Sequence, residues 1–320
     1  MLLIPEIVDK HSALSQDIGV PKIPAPPDLA ALLPSWELAL RAERKSPQTV
    51  KSYGDGVRAF LRWCDDSGQS PALDRRLAQE FVAGMLDGGA EPSTARSRQL
   101  GLRRFSAWLA EEGEIDADPL LGLKPPKLDQ KVVESLTEDD LRRLIRACGG
   151  KEFRDRRDDA IVRLMAETAM RAGEVCALTV SAVDLGRGIV TVHRGKGGKG
   201  RISPFGPQTG RALDRYIRAR RTHRLAESPA LWLGDRGKEL NYYGLHKALK
   251  ARAEAAGLSG FHPHLLRHTA ASRWLAAGGS EGGLMAVAGW STRDMIDRYT
   301  RATASERAAD EARGLGLGDL

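Results

Sequence analysis

The stretch HPHLLRHTAASRWLAA, residues 262–277, predicts a helix with charged and hydrogen-bonding groups on one face. His264, Arg267 and His268 lie three and four positions apart, and residues at that spacing share a helix face. An imidazole carries a proton and a guanidinium is a two-pronged donor, so this face is suited to binding a phosphate. A zinc protease would need a glutamate beside the first histidine, and that position is Leu265. The sequence therefore disfavours a metal site here.

The residues that follow this helix add two aromatic side chains. The motif AGWS (288–291) contains Trp290, and Tyr299 follows nine positions later. Tyr299 lies on a short polar segment between an arginine and a threonine. A tyrosine that is buried for structural reasons more often has apolar neighbours on both sides. The pattern favours a functional hydroxyl at Tyr299.

Upstream, a glycine- and lysine-rich turn lies between two strand-like runs. GIVTV (188–192) and RISP (201–204) enclose GKGGKG (195–200), which predicts a β-hairpin. The glycines allow a tight turn, and Lys196 and Lys199 extend from it as mobile cations. A phosphate-loop NTPase is excluded because no Ser or Thr follows the lysine and no helix follows the glycines. A hairpin tip that is merely well solvated is the alternative.

A further arginine, Arg171, lies just beyond an apolar helix predicted over 155–168, and Glu174 follows three positions later. Arg171 has no packing reason to be there. Taken alone, it is better explained as a solvated or salt-bridged arginine, because surface pairs are common.

Together, these stretches resemble the tyrosine recombinase family, the phage-type integrases, over roughly residues 34–310. The shared order is Arg-x-x-Glu, a lysine hairpin, His-x-x-Arg-His, Gly-Trp and then Tyr. The family's second histidine position holds Trp290, a substitution that some members carry. The resemblance implies a set of catalytic residues, with two more in support: Arg171, Lys196, His264, Arg267, Trp290 and Tyr299, supported by Glu174 and His268.

The resemblance also implies a reaction. Tyr299 would attack a DNA phosphodiester and form a 3′-phosphotyrosine, while Arg171 and Arg267 hold the non-bridging oxygens. His264 would accept or share the phenol proton, and Lys196 would protonate the departing 5′-oxygen. No metal or nucleotide cofactor is required.

The implied function is site-specific DNA recombination. A type IB topoisomerase-like nicking enzyme is a close alternative, because it uses the same groups without strand exchange. A DNA-binding protein that kept the fold without the chemistry is a more distant one. The implied partners are double-stranded DNA and further copies of the chain, as a dimer to a tetramer. Lys199, Arg201, Lys45 and Lys51 are candidate DNA-binding residues.

Charge agrees with a polyanionic partner. The net charge is +7, and residues 119–320 alone carry +11, whereas the preceding residues are net acidic. A basic region of this kind favours binding of DNA or RNA, although a merely solvated basic surface would look the same.

Composition predicts a soluble chain of two domains. The length of 320 residues, with 42% hydrophobic and 28% charged residues, is enough to bury real cores. No apolar run approaches the ~18 residues of a membrane helix, and the start lacks the basic region of a signal peptide. Three widely separated cysteines without a CxxC favour reduced thiols in a cytoplasm.

The predicted fold is mainly α-helical with one small antiparallel sheet. Four prolines in Pro21–Pro27 predict an extended arm over 1–33. A domain of four or five helices is expected over 34–118, a Pro-rich linker over 119–134, and the catalytic domain over 135–320.

Helix starts and stripes support these divisions. Ser46 predicts an N-cap before Pro47, and Val50, Val57 and Phe60 belong to an apolar stripe. Ser93 predicts the start of a second helix. In the catalytic domain, Thr137 begins a helix with a near capping box. Further helices are predicted over about 208–221, 243–256, 264–277 and 293–299.

One departure from the family concerns residues 278–283, GGSEGG. Family members usually have better helix formers there. We therefore expect a looser approach to Trp290. The N-terminal arm is also short for the separate arm-site-binding domain of larger integrases.

Overall fold

The computed structural model describes residues 27–128, 134–193, 200–235 and 237–300. The chain divides into two compact units after Gln130. None of the helices in these ranges is both long and apolar enough to cross a membrane.

The first unit contains four helices: α1 Leu29–Ala42, α2 Pro47–Asp66, α3 Arg75–Asp87 and α4 Pro92–Glu111. They surround one apolar core that includes the predicted stripe of α2. Ser46 caps α2 as predicted, with its hydroxyl accepting from the Thr49 N–H at 3.1 Å. The predicted start of α4 at Ser93 is wrong, because Pro92 already occupies the first helical position.

The extended arm predicted over 1–33 is wrong at its end, because α1 begins at Leu29. The Asp28 carboxylate accepts hydrogen bonds from the first N–H groups and caps the helix. Pro34 lies inside α1, but burial of Leu33 and Trp36 on one face offsets its missing donor. Residues 1–26 of the predicted arm lie outside the described residues.

The linker predicted over 119–134 also begins later than expected. Leu120 and Leu123 are buried in the core of the first unit. The prolines that follow them led the prediction to assign these two leucines to the linker. Residues 129–133 lie outside the described ranges.

The second unit surrounds a larger core. Its elements are α5 Glu138–Ala147, α6 Phe153–Thr168, α7 Ala172–Cys176, β1 Val183–Asp184, β2 Ile189–Val192, β3 Arg201–Pro204, α8 Pro207–Arg220, α9 Tyr242–Ala255, α10 Pro263–Ala276, α11 Glu281–Ala288 and α12 Asp294–Thr300. The sheet is antiparallel in the order β1-β2-β3, and Val192 pairs with Arg201. The two predicted strands of the hairpin are confirmed as an antiparallel pair, and the predicted turn at 195–200 lies largely outside the described residues. The two-residue β1 was not predicted.

A smaller apolar cluster joins α10, α11 and α12, and it includes Trp290 and Ile296. The looser approach expected from the glycines is wrong, because Gly278 and Gly279 lie in a capped turn after α10 and Gly282 and Gly283 form the first turn of α11. The Ser280 hydroxyl caps α11, accepting from the Gly283 N–H at 3.1 Å. The Trp274 indole N–H donates to the Ser280 carbonyl at 3.0 Å and holds this turn.

Candidate active site

The polar face of α10 is present as predicted. The rings of His264 and His268 meet edge to face, with centroids 4.7 Å apart. Arg267, from the same turn, is only 2% exposed. One helix thus supplies two imidazoles and a buried cation.

The Arg267 guanidinium is held by backbone carbonyls from two other elements. It donates to the Ala169 carbonyl at the end of α6 and to the Ala288 carbonyl at the end of α11, the latter at 3.0 Å. It also lies over the Trp290 ring, 5.3 Å from its centroid, as a cation–π pair. Burial, with the nearby Arg171 charge, lowers the pKa of Arg267 to about 10. The group therefore stays cationic at neutral pH.

Tyr299, on α12, joins this cluster. Its ring stacks on Trp290, with centroids 5.3 Å apart and planes at 21°. Its hydroxyl forms a hydrogen bond with Nδ1 of His268. Burial raises the pKa of Tyr299 to about 12, against the opposing charges of Arg267 and Arg298.

The protonation state and the tautomer of His268 together set the direction of that hydrogen bond. Burial and the neighbouring His264 lower the pKa of His268 to about 4. At neutral pH His268 is uncharged and Tyr299 is a phenol. In the His268 tautomer that carries its proton on Nε2, Nδ1 accepts the hydrogen bond and the Tyr299 hydroxyl donates it. In that tautomer the Tyr299 hydroxyl donates its proton to a neutral imidazole.

The two histidines have different surroundings. The sequence assigned the phenol proton to His264, but the structure brings His268 to the hydroxyl. Burial by the surrounding chain, followed by the charges of Arg267 and His262, lowers the pKa of His264, although part of its ring reaches solvent. Arg171 acts on the pKa of His264 in the same direction. His264 is thus a neutral group beside two arginines.

Arg171 precedes α7 and is fixed by Glu174. The Arg171 backbone N–H donates to the Glu174 carboxylate at 2.8 Å, and its guanidinium donates at 3.0 Å. Burial acts to raise the pKa of Glu174, but hydrogen bonds from Arg201 and Arg171 outweigh it, and the pKa is lowered. Glu174 is therefore an ionised carboxylate inside the cluster.

Arg201 was expected to contact DNA, but the structure places its side chain inside the second unit. Its side chain is 9% exposed, and its guanidinium makes two hydrogen bonds to Glu174, at 2.7 and 3.1 Å. Its Nε donates to the Val287 carbonyl at 2.7 Å. The basic hairpin suggested a solvent-facing cation, and no spacing signal in the sequence identified these distant partners.

The Trp290 indole N–H is a buried donor with no hydrogen-bond partner among the described residues. Such orphaned donors are rare in native proteins, and each calls for an explanation. Trp290 lies between Arg267 and Tyr299, so this donor belongs to the same cluster.

Other predicted residues lie elsewhere. Lys196 and Lys199 fall outside the described residues. Lys45 and Lys51 belong to the first unit, where both are exposed and pair with Glu43 and Asp55 at 3.2 and 2.6 Å. Exposed pairs of this kind contribute little to stability.

The cluster places cationic and hydrogen-bond-donating side chains beside a phenol hydroxyl. Arg171 and Arg267 are cationic, Trp290 has an unused donor, and the Tyr299 hydroxyl is held by a neutral imidazole. Groups of these kinds are suited to binding an anionic phosphodiester next to a phenol oxygen. Across the described ranges, no group of three or more His, Cys, Asp or Glu side chains is arranged to hold a metal ion.

Comparison with known protein families gives two matches along the chain. The phage integrase family matches residues 134–306. The N-terminal SAM-like domain of phage integrases matches residues 33–113.

Two proteins of similar sequence are tyrosine recombinases. Tyrosine recombinase XerC of Pseudomonas fluorescens is 30% identical over 239 residues, which cover 74% of this chain and 79% of the relative. A XerC of Lactobacillus delbrueckii subsp. bulgaricus is 29% identical over 82% of this chain and 92% of its own length.

Solved structures share the fold at lower identity. A lambda integrase dimer bound to a COC′ core site has a TM-score of 0.65 at 18% identity, over 84% of this chain and 94% of that chain. XerH bound to a palindromic difH substrate has a TM-score of 0.69 at 16% identity, over 88% and 84% of the two chains.

Proposed function

This chain belongs to the phage integrase family of tyrosine recombinases, enzymes that cleave and rejoin DNA, and from that premise we propose that Tyr299 is its nucleophile in site-specific recombination. One observation carries the assignment. The Tyr299 hydroxyl is hydrogen-bonded to the neutral imidazole of His268. The Tyr299 ring also stacks on Trp290, which forms a cation–π pair with the buried Arg267.

The arginines stabilise the charge that develops during attack. The phosphorane carries an extra negative charge on its non-bridging oxygens, and guanidinium forks offer paired donors to such oxygens. We assign this role to Arg171 and Arg267. The unpartnered Trp290 N–H supports a further donor to the same phosphate.

The proton of the nucleophile goes to His268 in this proposal. The Tyr299 oxygen forms a bond to phosphorus, the phosphorus–O5′ bond breaks, and the phenol proton passes to Nδ1 of His268. His264, a neutral group beside Arg171 and Arg267, is assigned as a donor to the phosphate. Lys196 supplies the proton of the departing 5′-oxygen, an assignment that rests on the family resemblance.

The proposed partner is duplex DNA. The related lambda integrase and XerH structures contain DNA, and the former is a dimer. We propose that this chain likewise acts on DNA as a homo-oligomer, a dimer to a tetramer, in the cytoplasm. Lys45 and Lys51 are proposed phosphate contacts of the first unit.

Strand exchange tests the function. DNA fragments that the protein retains from the genome carrying its gene would be cloned twice into one supercoiled plasmid. We expect deletion or inversion between the two copies, because a phosphotyrosine conserves the energy of the broken bond for religation to another strand. Supercoil relaxation without exchange would favour a topoisomerase-like activity instead, and binding with neither would favour a non-catalytic protein.

The role of His268 makes a separate prediction. In His268→Asn the new side chain can still accept a hydrogen bond from Tyr299 but cannot take up its proton. We therefore expect covalent adduct formation to fall about 10²-fold at neutral pH. Because the pKa of Tyr299 is about 12, the phenolate fraction grows as pH rises. The mutant rate should then increase about tenfold per pH unit, while the wild-type rate stays flat above about pH 5 because His268 is already neutral.

His264→Asn is the matched control on the same helix face. We expect it to lower the rate while its pH profile stays parallel to that of the wild type. Rates would be measured as SDS-resistant protein–DNA adduct on a nicked substrate. A His268→Asn profile that parallels the wild type would mean that His268 only positions the ring.

A further inference from the structure

Arg201 makes hydrogen bonds to two separate elements of the second unit that carry the proposed site. It lies at the start of β3, directly after the lysine turn, and its side chain is almost completely buried. Its partners come from α7 and from the end of α11. The side chain of Arg201 therefore links β3 to α7 and to the end of α11.

On one side, Arg201 fixes the carboxylate that fixes Arg171. Its Nη1 and Nη2 donate to the two oxygens of Glu174, at 3.1 and 2.7 Å. The same two oxygens accept from the Arg171 guanidinium and backbone N–H. A bidentate pair restricts both distance and orientation, so Glu174 has little freedom to rotate.

On the other side, Arg201 reaches the turn that leads into Trp290. Its Nε donates to the Val287 carbonyl at 2.7 Å, and the Ser203 hydroxyl donates to the same oxygen at 3.1 Å. Gly289 follows with a φ of 65°, and a Cβ there would lie 3.0 Å from Arg201 Nη1. The guanidinium thus packs directly against the backbone that positions Trp290.

Stability alone does not explain this arrangement. Buried ion pairs are costly to desolvate, and apolar replacements of similar volume are often as stable. Yet the four hydrogen bonds that Arg201 and Ser203 make here end on Glu174, which holds Arg171, and on Val287, in the turn that leads into Trp290. Orientation of neighbouring groups accounts for the geometry better.

We propose that Arg201 is a positioning residue that acts through Glu174 to hold the Arg171 guanidinium against the scissile phosphate. It touches no reacting atom itself. The inference rests on the proposed recombination chemistry, in which Arg171 binds the non-bridging oxygens. It replaces the earlier expectation that Arg201 contacts DNA.

Three substrates test where Arg201 acts. Arg201→Gln should form adduct about 10²-fold more slowly on ordinary nicked DNA, since small displacements of a charge-stabilising group have effects of that size. A methylphosphonate at the scissile position is uncharged and depends less on a guanidinium, so the deficit should shrink there. A 5′-bridging phosphorothiolate removes only the need for an acid, so the deficit should persist.

Lys196→Ala is the opposing control. As the proposed general acid, it should be rescued by the phosphorothiolate and not by the methylphosphonate. Arg218→Gln is the matched surface control, because Arg218 is 60% exposed and pairs with Asp214; it should match the wild type on all three substrates. Arg201→Lys keeps the charge but not the fork, and it should be intermediate.

A measurement without DNA separates this proposal from the proposed function. A double-mutant cycle of urea unfolding would compare Arg201→Gln, Glu174→Gln and the double variant. We expect coupling between the two positions, and additive effects would overturn the inference. Coupling combined with equal slowing on all three substrates would make Arg201 merely structural. A wild type that formed no adduct would overturn the recombinase assignment, while the cycle would still decide whether Arg201 holds Glu174.

Discussion

Tyr299→Phe is expected to abolish the covalent protein–DNA adduct while the protein still folds and binds DNA. The substitution removes only the hydroxyl, so the ring keeps its stacking on Trp290 and its contact with His268. The lost hydrogen bond should lower the free energy of unfolding by about 0.5–1.5 kcal/mol. Without the oxygen, no phosphotyrosine can form.

The measurement is an SDS-resistant band on nicked DNA, with peptide mapping of the phosphate in the wild type. Tyr243→Phe is the matched control, because Tyr243 is 75% exposed at the start of α9. Tyr216 is excluded as a nucleophile, since its hydroxyl is buried between the Leu231 carbonyl and the Leu233 N–H. An adduct that persists in Tyr299→Phe, or that maps to Tyr242 or Tyr243, would refute the assignment.

Local structure was predictable wherever a short-range rule decides it. Thr137 and Asp140 form the predicted capping box of α5. The helices predicted around 208–221 and 243–256 begin and end within two residues of α8 and α9. In each case the start signal and the apolar stripe lie within the same segment.

Elements that depend on distant packing were not predictable. The weak formers Gly282 and Gly283 argue against a helix, but Leu284 and Ala288 of α11 are buried against α10 and stabilise it. α1 likewise tolerates Pro34 because its other face is buried. Tertiary burial overrides propensity at both places.

The pairing of charged and polar side chains was the least predictable feature. His264 and His268 share a helix face, and spacing alone does not say which one meets a tyrosine 31 positions after His268. Arg201 lies 27 positions from Glu174 and 86 from Val287. Spacing rules apply to neighbours on one helix, and these contacts join separate elements.

Arg267→Lys is expected to lower adduct formation by 10²–10³-fold, equivalent to about 3–4 kcal/mol of transition-state stabilisation. Lysine keeps the charge, but an ammonium lacks the planar fork that binds a phosphate through two donors. It also cannot span the Ala169 and Ala288 carbonyls, which Arg267 bridges. One carbonyl is then left without its donor, and the free energy of unfolding should fall by about 1–3 kcal/mol.

Arg273→Lys is the matched control for the effects of Arg267→Lys on the rate and on the free energy of unfolding. Arg273 lies on the same helix but is 43% exposed and pairs with Glu138, so its replacement should change neither rate nor stability appreciably. Adduct rates and urea unfolding would be measured in parallel for both variants. If Arg267→Lys were destabilised yet cleaved DNA at the wild-type rate, Arg267 would be a support for α6 and α11. If both quantities fall together, the two carbonyls that anchor the guanidinium also hold it in place for the phosphate.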